Sequence, residues 1–131
     1  MNGLHLIADL HNCQCRADIL LDAYRLQVFC VEACQRHRLT VVSQLFHPFI
    51  DYNGQAAGVT GTVILAESHL AIHTWPEIMG VTLDVYVCNF SGNNNAQAHA
   101  LFEEVITRFM PTKLERHEVM RGQLNQSKRS N

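Results

Sequence analysis

Short segments in which every second residue is apolar recur along the chain. From Leu4 to Leu10, leucine and alanine alternate with His5, Ile7 and Asp9, which predicts a strand with one buried side. The same two-residue period, or a run of β-branched residues, predicts further strands over residues 40–46, 59–75 (as two strands or one long hairpin), 81–88 and 114–120. The chain therefore has about six predicted strands.

Two longer segments carry apolar residues at helical spacing instead. The first predicts a helix over about 19–38 with Asp18 as its N-cap, and the second a helix over 96–109 that Pro111 stops. Residues 48–58 contain Pro48, Asn53-Gly54 and Gly58, which are typical of a loop.

These elements predict an α/β (α+β) fold, a two-layer sandwich of a mostly antiparallel sheet with both helices on one face. Residues 1–122 are expected to form a single domain. Residues 123–131 are polar and lack a core-forming pattern, so we expect a disordered tail.

Composition limits the classes of protein that are plausible. The 131 residues carry a formal net charge of -2, which gives no reason to expect a nucleic-acid or anionic-membrane partner. No apolar stretch approaches the ~20 residues of a membrane span, and the N-terminus lacks the pattern of a secretion signal. The five cysteines do not resemble a secreted disulfide framework, so the cytoplasm is the expected compartment.

Residues 67–77 combine a strand-like pattern with reactive side chains. A hydroxyl, two imidazoles, an indole and two carboxylates fall within eleven positions. In a strand, Ser68, Leu70, Ile72 and Thr74 would share one face, and His69, Ala71, His73 and Trp75 the other. A packed core does not require this mixture, because buried polar groups need partners.

The sequence of this stretch, Glu-Ser-His-Leu-Ala-Ile-His-Thr-Trp-Pro-Glu, resembles the self-processing segment of the bacterial and archaeal S-adenosylmethionine decarboxylases, which are pyruvoyl-dependent enzymes. Further blocks are similar to the same family in the same order, at residues 5–9, 46–49, 58–61 and 83–88. Together the blocks cover most of residues 4–122, and only the ends and residues 50–57 lack a clear counterpart.

The resemblance implies a proenzyme that cuts itself. The Ser68 hydroxyl would attack the carbonyl of Glu67, and the amide would become an ester. Elimination from that ester would release Glu67 as a new C-terminus and leave dehydroalanine at position 68, which hydrolyses with loss of ammonia to a pyruvoyl group. The products would be a β chain of residues 1–67 and an α chain of residues 68–131. The pyruvoyl cofactor would form a Schiff base with the amine of S-adenosylmethionine and accept electrons as carbon dioxide leaves. The product would be the aminopropyl donor for spermidine, a polyamine.

The resemblance also implies roles in the reaction for three further residues. His73 matches the processing base, which also makes it a catalytic candidate beside Ser68. Thr60 lies where the family usually has a serine that assists processing, which keeps the hydroxyl but adds a methyl group. Cys88 matches the cysteine that returns a proton to the substrate. The family further implies a homodimer with active sites near the subunit interface.

The remaining residues implied by the resemblance bind substrate. Glu77 matches the carboxylate that holds the ribose hydroxyls, and Phe49 the ring that stacks on adenine. Asp9 could orient the substrate amine or face the sulfonium, and Trp75 could line the pocket.

Each of these residues also has an ordinary explanation, and other functions stay open. A serine, histidine or cysteine in a strand is usually surface or core. A pyruvoyl-dependent arginine or ornithine decarboxylase would share the fold, and an uncleaved, non-catalytic binding homologue is a second alternative. His11, Cys13 and Cys15 could ligate metal, but Cys-x-Cys is not the usual structural-zinc spacing, so no metal is expected.

Overall fold

The computed structural model of the chain describes residues 2–124. These residues form six strands: β1 (Gly3–His11), β2 (Val41–Ile50), β3 (Ala56–Leu65), β4 (Ser68–Trp75), β5 (Gly80–Cys88) and β6 (Lys113–Arg121). Two helices accompany them, α1 (Ala23–Arg36) and α2 (Asn95–Phe109). Of the predicted tail over 123–131, residues 125–131 lie outside the described residues.

The strands form one antiparallel sheet in the order β2-β3-β4-β5-β1-β6, so β1 lies between β5 and β6. Helix α1 packs over β2 and β3, and α2 over β1 and β5. The apolar strand positions and both helices form one core, as shown by buried Leu6, Ile72, Val85, Phe102 and Phe109. The predicted two-layer sandwich with both helices on one face is confirmed.

The helix-free side of the sheet, called here the open face, carries the alternate residues of each strand. Residues that lie directly opposite one another in neighbouring strands form a rung across this face. One such rung joins His47, Thr60, His73, Thr82 and Asp9, in that order from β2 to β1. The open face therefore places several of the candidate residues side by side.

Helix α1 begins later than the sequence predicts. Its N-cap is Asp22, whose carboxylate accepts the backbone N–H of Arg25 at 3.1 Å, and Asp18 lies in a preceding 3₁₀ turn over Ala17–Leu20. The predicted helix is confirmed, but Asp18 is not its cap, and the predicted bounds of about 19–38 are too wide at both ends. Two aspartates four residues apart can each cap a helix, and the extended backbone of Asp22 decides which one does.

The loop predicted over residues 48–58 is shorter than expected. Strand β2 continues to Ile50 and β3 starts at Ala56, which leaves residues 51–55 as the turn. Pro48 is accommodated within β2 because this strand is an edge of the sheet, where a missing N–H leaves no ladder bond unmade. The Asp51 carboxylate tightens the turn by accepting the N–H groups of Asn53 and Gln55.

Strand β4 has the predicted alternation of faces. Leu70 and Ile72 are fully buried toward the helices, and Thr74 follows them on that side. The buried Thr74 hydroxyl donates to the Leu20 carbonyl oxygen at 2.7 Å and accepts the Val59 N–H at 2.8 Å, so it is satisfied. No helix in the part of the chain that the structure describes is both long and apolar enough to cross a bilayer.

Candidate active site

Ser68 is the first residue of β4 and follows a two-residue turn. Glu67, which precedes it, has a backbone φ of 64°, a left-handed conformation that costs a non-glycine residue about 1–2 kcal/mol. The Ser91 hydroxyl donates to Glu67 Oε2 at 2.7 Å, which fixes the side chain on the outer side of the turn. The chain thus bends sharply between Glu67 and Ser68, and the strain lies at the residue whose carbonyl the serine would attack.

Cys88 lies beside this turn, at the last position of β5. Its backbone N–H donates to Ser68 Oγ at 3.3 Å, and its side chain is 7% exposed. Asn94, at the start of α2, donates from its side-chain amide to the Cys88 carbonyl oxygen at 3.3 Å. Glu67, Ser68 and Cys88 therefore form one group at the β3–β4 turn.

Five other candidates meet at the opposite end of β4. They line a cavity of about 290 Å³ and comprise Phe49, Thr60, His73, Trp75 and Glu77. The Thr60 hydroxyl lies 3.0 Å from Nδ1 of His73, within hydrogen-bonding distance. The Phe49 and Trp75 rings are about half exposed, so their faces are open to a ligand.

The wall of this cavity requires a glycine. Gly58 has a φ of 134°, and a Cβ added there would lie 2.7 Å from the Thr74 carbonyl oxygen. Only glycine combines this conformation with so close an approach of two backbones. The cavity beside Thr60 and His73 is thus shaped by backbone as well as by side chains.

Asp9 lies on the same side of the molecule as this cavity. It is on the rung of His73 but two strands away, which corresponds to about 10 Å at the usual strand spacing. Asp9 and Trp75 both line a second cavity, of about 450 Å³. Trp75 therefore borders both cavities and connects Asp9 with the group around His73.

The structure does not bring Ser68 and His73 together within one chain. They lie five positions apart along β4, about 17 Å at the usual rise of a strand. A general base must come within about 3 Å of the proton that it removes, or act through one water. The candidate residues thus lie in two separate groups, called here the cleavage half-site (Glu67, Ser68 and Cys88) and the pocket half-site (Phe49, Thr60, His73, Trp75 and Glu77).

Sequence reasoning missed a polar cluster on the open face next to the cleavage half-site. Asp84 Oδ2 lies 2.9 Å from Nε2 of His5 and 3.0 Å from Nε2 of His69. Burial acts to raise the pKa of the Asp84 carboxyl, but the hydrogen bonds from His69 and His5 outweigh it and lower that pKa. The available signal was a carboxylate inside an apolar strand, Leu83-Asp84-Val85.

Two histidines and a carboxylate also have the composition of a metal site. Here, however, the guanidinium of Arg121 lies 3.1 Å from Nδ1 of His5. Guanidinium groups only donate hydrogen bonds, so Nδ1 of His5 accepts and Nε2 carries the proton that Asp84 receives. A metal at Nε2 would have to displace that proton beside a permanent positive charge, so the donor set does not favour one.

Comparisons with known proteins agree with the fold and the motifs. Residues 4–122 match the family model described as S-adenosylmethionine decarboxylase. The S-adenosylmethionine decarboxylase proenzyme of Picrophilus torridus is 33% identical over 120 residues, which are 92% of this chain and 84% of that protein. The corresponding proenzyme of Thermoplasma acidophilum is 31% identical over 122 residues, 93% of this chain and 85% of that protein.

A solved structure shows the same architecture. The crystal structure of the adenosylmethionine decarboxylase from Aquifex aeolicus VF5 superposes with a TM-score of 0.79 at 31% identity, covering 95% of this chain and 93% of that one. Fold and sequence together place the protein among the decarboxylases. More narrowly, the chain belongs to the S-adenosylmethionine decarboxylase family.

Proposed function

We propose that this protein is a proenzyme that cuts itself between Glu67 and Ser68 and then decarboxylates S-adenosylmethionine in the cytoplasm. The observation that carries the proposal is the strained turn. Glu67 is held left-handed immediately before a serine whose Oγ is already held by the Cys88 N–H. Relief of strain favours attack on the Glu67 carbonyl, and the relatives that match the chain are named proenzymes.

Cleavage would give a β chain of residues 1–67 and an α chain of residues 68–131, within one domain spanning residues 1–122. A pyruvoyl ketone derived from Ser68 would supply the electron sink that decarboxylation of an α-amino acid needs. The residues around position 68 fit this role. Cys88 is beside it, since its backbone N–H holds Ser68 Oγ and the residue is largely buried, and its thiol is the group that we assign to return a proton to the substrate after carbon dioxide has left.

The cavity at the other end of β4 supports a nucleoside substrate. It offers the Phe49 ring, half exposed and in edge contact with His47 at 4.8 Å between ring centroids, for stacking on a flat heterocycle. Glu77 is the one carboxylate among the described residues that line it, which suits a ribose diol. A binding site for arginine or ornithine would need more negative charge at that place.

The two half-sites support a homodimer with composite active sites. Since His73 lies about 17 Å from Ser68 in its own chain, a second copy has to supply it. The open face is suited to this contact because no helix covers it and it exposes apolar side chains, including Leu45, Phe49, Ile64 and Val119. Antiparallel stacking of two open faces would bring the sheet edge at the β3–β4 turn of one protomer, where Ser68 begins β4, next to the pocket half-site of its partner.

The product of the reaction would be decarboxylated S-adenosylmethionine. Its role as aminopropyl donor for spermidine follows from that chemistry, because loss of the carboxylate leaves a primary aminopropyl group on the sulfonium. The sulfonium makes this group transferable to an amine acceptor.

Intact mass under denaturing conditions tests the proposal directly. We expect two chains, of residues 1–67 and 68–131, and a mass for the second that corresponds to a ketone at its N-terminus. Ser68→Ala should stay intact and folded, whereas the control Ser43→Ala, on the exposed edge strand β2, should be cut like the wild type. An uncut wild-type chain would refute self-processing and favour a binding homologue.

The substrate can then be identified by measuring carbon dioxide release with the cleaved protein. Carbon dioxide release should be found with S-adenosylmethionine and be absent with arginine and ornithine. Release from either basic amino acid, at a rate that exceeds that from S-adenosylmethionine, would refute the nucleoside assignment while leaving the self-processing intact.

A further inference from the structure

On the open face, side chains from two strands meet one carboxylate oxygen of a third strand, Oδ2 of Asp84 in β5. His5 from β1 and His69 from β4 flank Tyr86 on one rung, and Asp84 lies two residues along β5. Both imidazoles place Nε2 within 3.0 Å of Asp84 Oδ2. The carboxylate therefore ties β4 to β5 and β1 through side chains as well as through the backbone ladder.

The direction of these hydrogen bonds is set from outside the cluster. Arg121 of β6 lies 3.1 Å from His5 Nδ1, and its guanidinium carbon is 4.5 Å from the centre of the Tyr86 ring. Because Arg121 only donates, His5 must donate from Nε2 to Asp84. Asp84 is then held as an anion that accepts two N–H groups, and His69 is one of the donors.

The position of His69 gives this cluster its importance. His69 follows Ser68 directly, so it is the second residue of the chain that self-cleavage would release. In the uncut chain, Ser68 is held by its peptide bond to Glu67 and by the hydrogen bond from the Cys88 N–H to its Oγ. Conversion of Ser68 to a ketone breaks this peptide bond and removes the Oγ atom that accepts the hydrogen bond.

We propose that Asp84 is a positioning residue for the new chain end. By holding His69, it adds to the backbone pairing of β4 with β3 and β5 and keeps position 68 beside Cys88 after these two restraints have been lost. This inference rests on the proposed self-cleavage. It assigns Asp84 no contact with the substrate, because Asp84 lines neither the cavity of Phe49 and Glu77 nor that of Asp9.

The test compares Asp84→Asn with a matched control in cleaved protein. The control is Glu104→Gln, since Glu104 of α2 likewise accepts from a histidine and an arginine, His37 and Arg36, but does so away from the open face. Hydrogen exchange of the backbone amides in the peptide that begins at position 68 reports, without any turnover, on how firmly Asp84 holds the new chain end. Carbon dioxide release, measured as kcat and KM separately, reports on its consequence.

We expect Asp84→Asn to be cut, and its amides at the start of β4 to exchange about tenfold faster, as expected for local fraying. Its kcat should fall by about 10-fold to 100-fold with KM within about threefold, since misplacement by about 1 Å has effects of that size. Glu104→Gln should match the wild type in kcat and KM, and its exchange at the start of β4 should stay below the tenfold increase expected of Asp84→Asn. Wild-type exchange and kcat in cleaved Asp84→Asn would overturn the inference.

A second pair of variants covers the case in which Asp84→Asn does not fold. His69→Gln retains an N–H donor that reaches Asp84, and His69→Ala does not. Only His69→Ala should show faster exchange and lower kcat. Equal behaviour of the two variants would overturn the inference that Asp84 holds the chain end through His69. A wild-type chain that stays uncut would refute the proposed function and this inference together, whereas a cut and active wild type with normal variants refutes the inference alone.

Discussion

The Thr60 hydroxyl lies 3.0 Å from Nδ1 of His73, on directly opposite residues of β3 and β4. A threonine thus contacts His73 at the position where the resemblance to the family implies a serine. The added methyl group does not prevent the hydrogen bond, so the substitution gives no reason to expect an inactive protein. It does limit the rotamers of the hydroxyl and so holds it toward His73.

Removal of that hydroxyl should slow self-cleavage. Thr60→Val keeps the shape of the side chain but leaves His73 without its partner, and we expect cleavage about 100-fold slower, a typical effect for acid–base assistance. Thr60→Ser should remain within a few-fold of the wild type. The measurement is the cut fraction over time by intact mass, and equally fast cleavage in Thr60→Val would contradict the role of Thr60.

Two inactive variants should restore each other if the active site is composite. Ser68→Ala supplies an intact pocket half-site, and His73→Ala supplies an intact cleavage half-site. When the two are co-expressed in equal amounts and pair at random, about half of the His73→Ala chains should be cut, since half of them have the other variant as partner. Each variant alone serves as the control, and absence of cleavage in the mixture would show that each protomer contains a whole site.

Cys88→Ala should separate cleavage from decarboxylation. The backbone N–H that holds Ser68 Oγ remains, so we expect the chain to be cut. Loss of the thiol should slow carbon dioxide turnover by about 100-fold or more, as for other groups that transfer protons. Cys15→Ala is the matched control because Cys15 is partly exposed and its segment is hydrogen-bonded to Met79, at the end of β5 opposite to Cys88. Normal turnover in Cys88→Ala would refute the proton-donor role.

Stability should depend on pH through Glu104. Hydrogen bonding by Arg36 lowers the pKa of the Glu104 carboxyl from its ordinary 4.5, with a smaller opposing effect of burial and a further lowering by His37. A lowered pKa contributes stability above the ordinary value, and this contribution is lost as pH falls through the lowered one. Glu104→Gln should therefore be less stable than the wild type by about 0.5–1 kcal/mol at pH 7, and in denaturant titrations the difference should shrink as the pH falls below 4.5 and through the lowered pKa.

The N-cap of α1 can be tested in the same way. Asp22→Ala removes the acceptor of the Arg25 N–H and should lower the free energy of unfolding by about 1 kcal/mol. Asp18→Ala removes only exposed ion pairs with Arg16 and Arg25, so it should have a smaller effect. A larger loss for Asp18→Ala in urea titrations would contradict the assignment of the cap.

The strands, and the face of the sheet on which each side chain lies, were predictable because the alternation of apolar and polar residues can be read from neighbouring positions alone. The alternation of Leu70 and Ile72 with His69 and His73 sets both the strand and the face, and the structure agrees. The start of α1 was less predictable, since Asp18 and Asp22 both have the side chain of a good cap. Pro48 suggested a loop because the sequence does not reveal that its strand is an edge.

The motifs likewise identified which residues to examine, but not how they are distributed. Regular strand spacing already implies that residues 68 and 73 lie far apart, yet only the assembled sheet shows that the pocket residues gather at one end of β4. The Asp84 cluster depends on the register of three strands drawn from both halves of the chain. That register is set by packing between residues far apart in the sequence, so no local pattern around His5 could have predicted it.

The strand order has a consequence for how the mature protein could be reassembled after denaturation. A cut at 67/68 leaves β1, β2 and β3 on one chain and β4, β5 and β6 on the other, with β1 inserted between β5 and β6. The two pieces interlock, so neither can leave without opening ladders on both sides of β1. Once unfolded, they must find each other by diffusion, so recovery becomes a second-order process whose rate rises with protein concentration, and separation is governed by the barrier to unfolding.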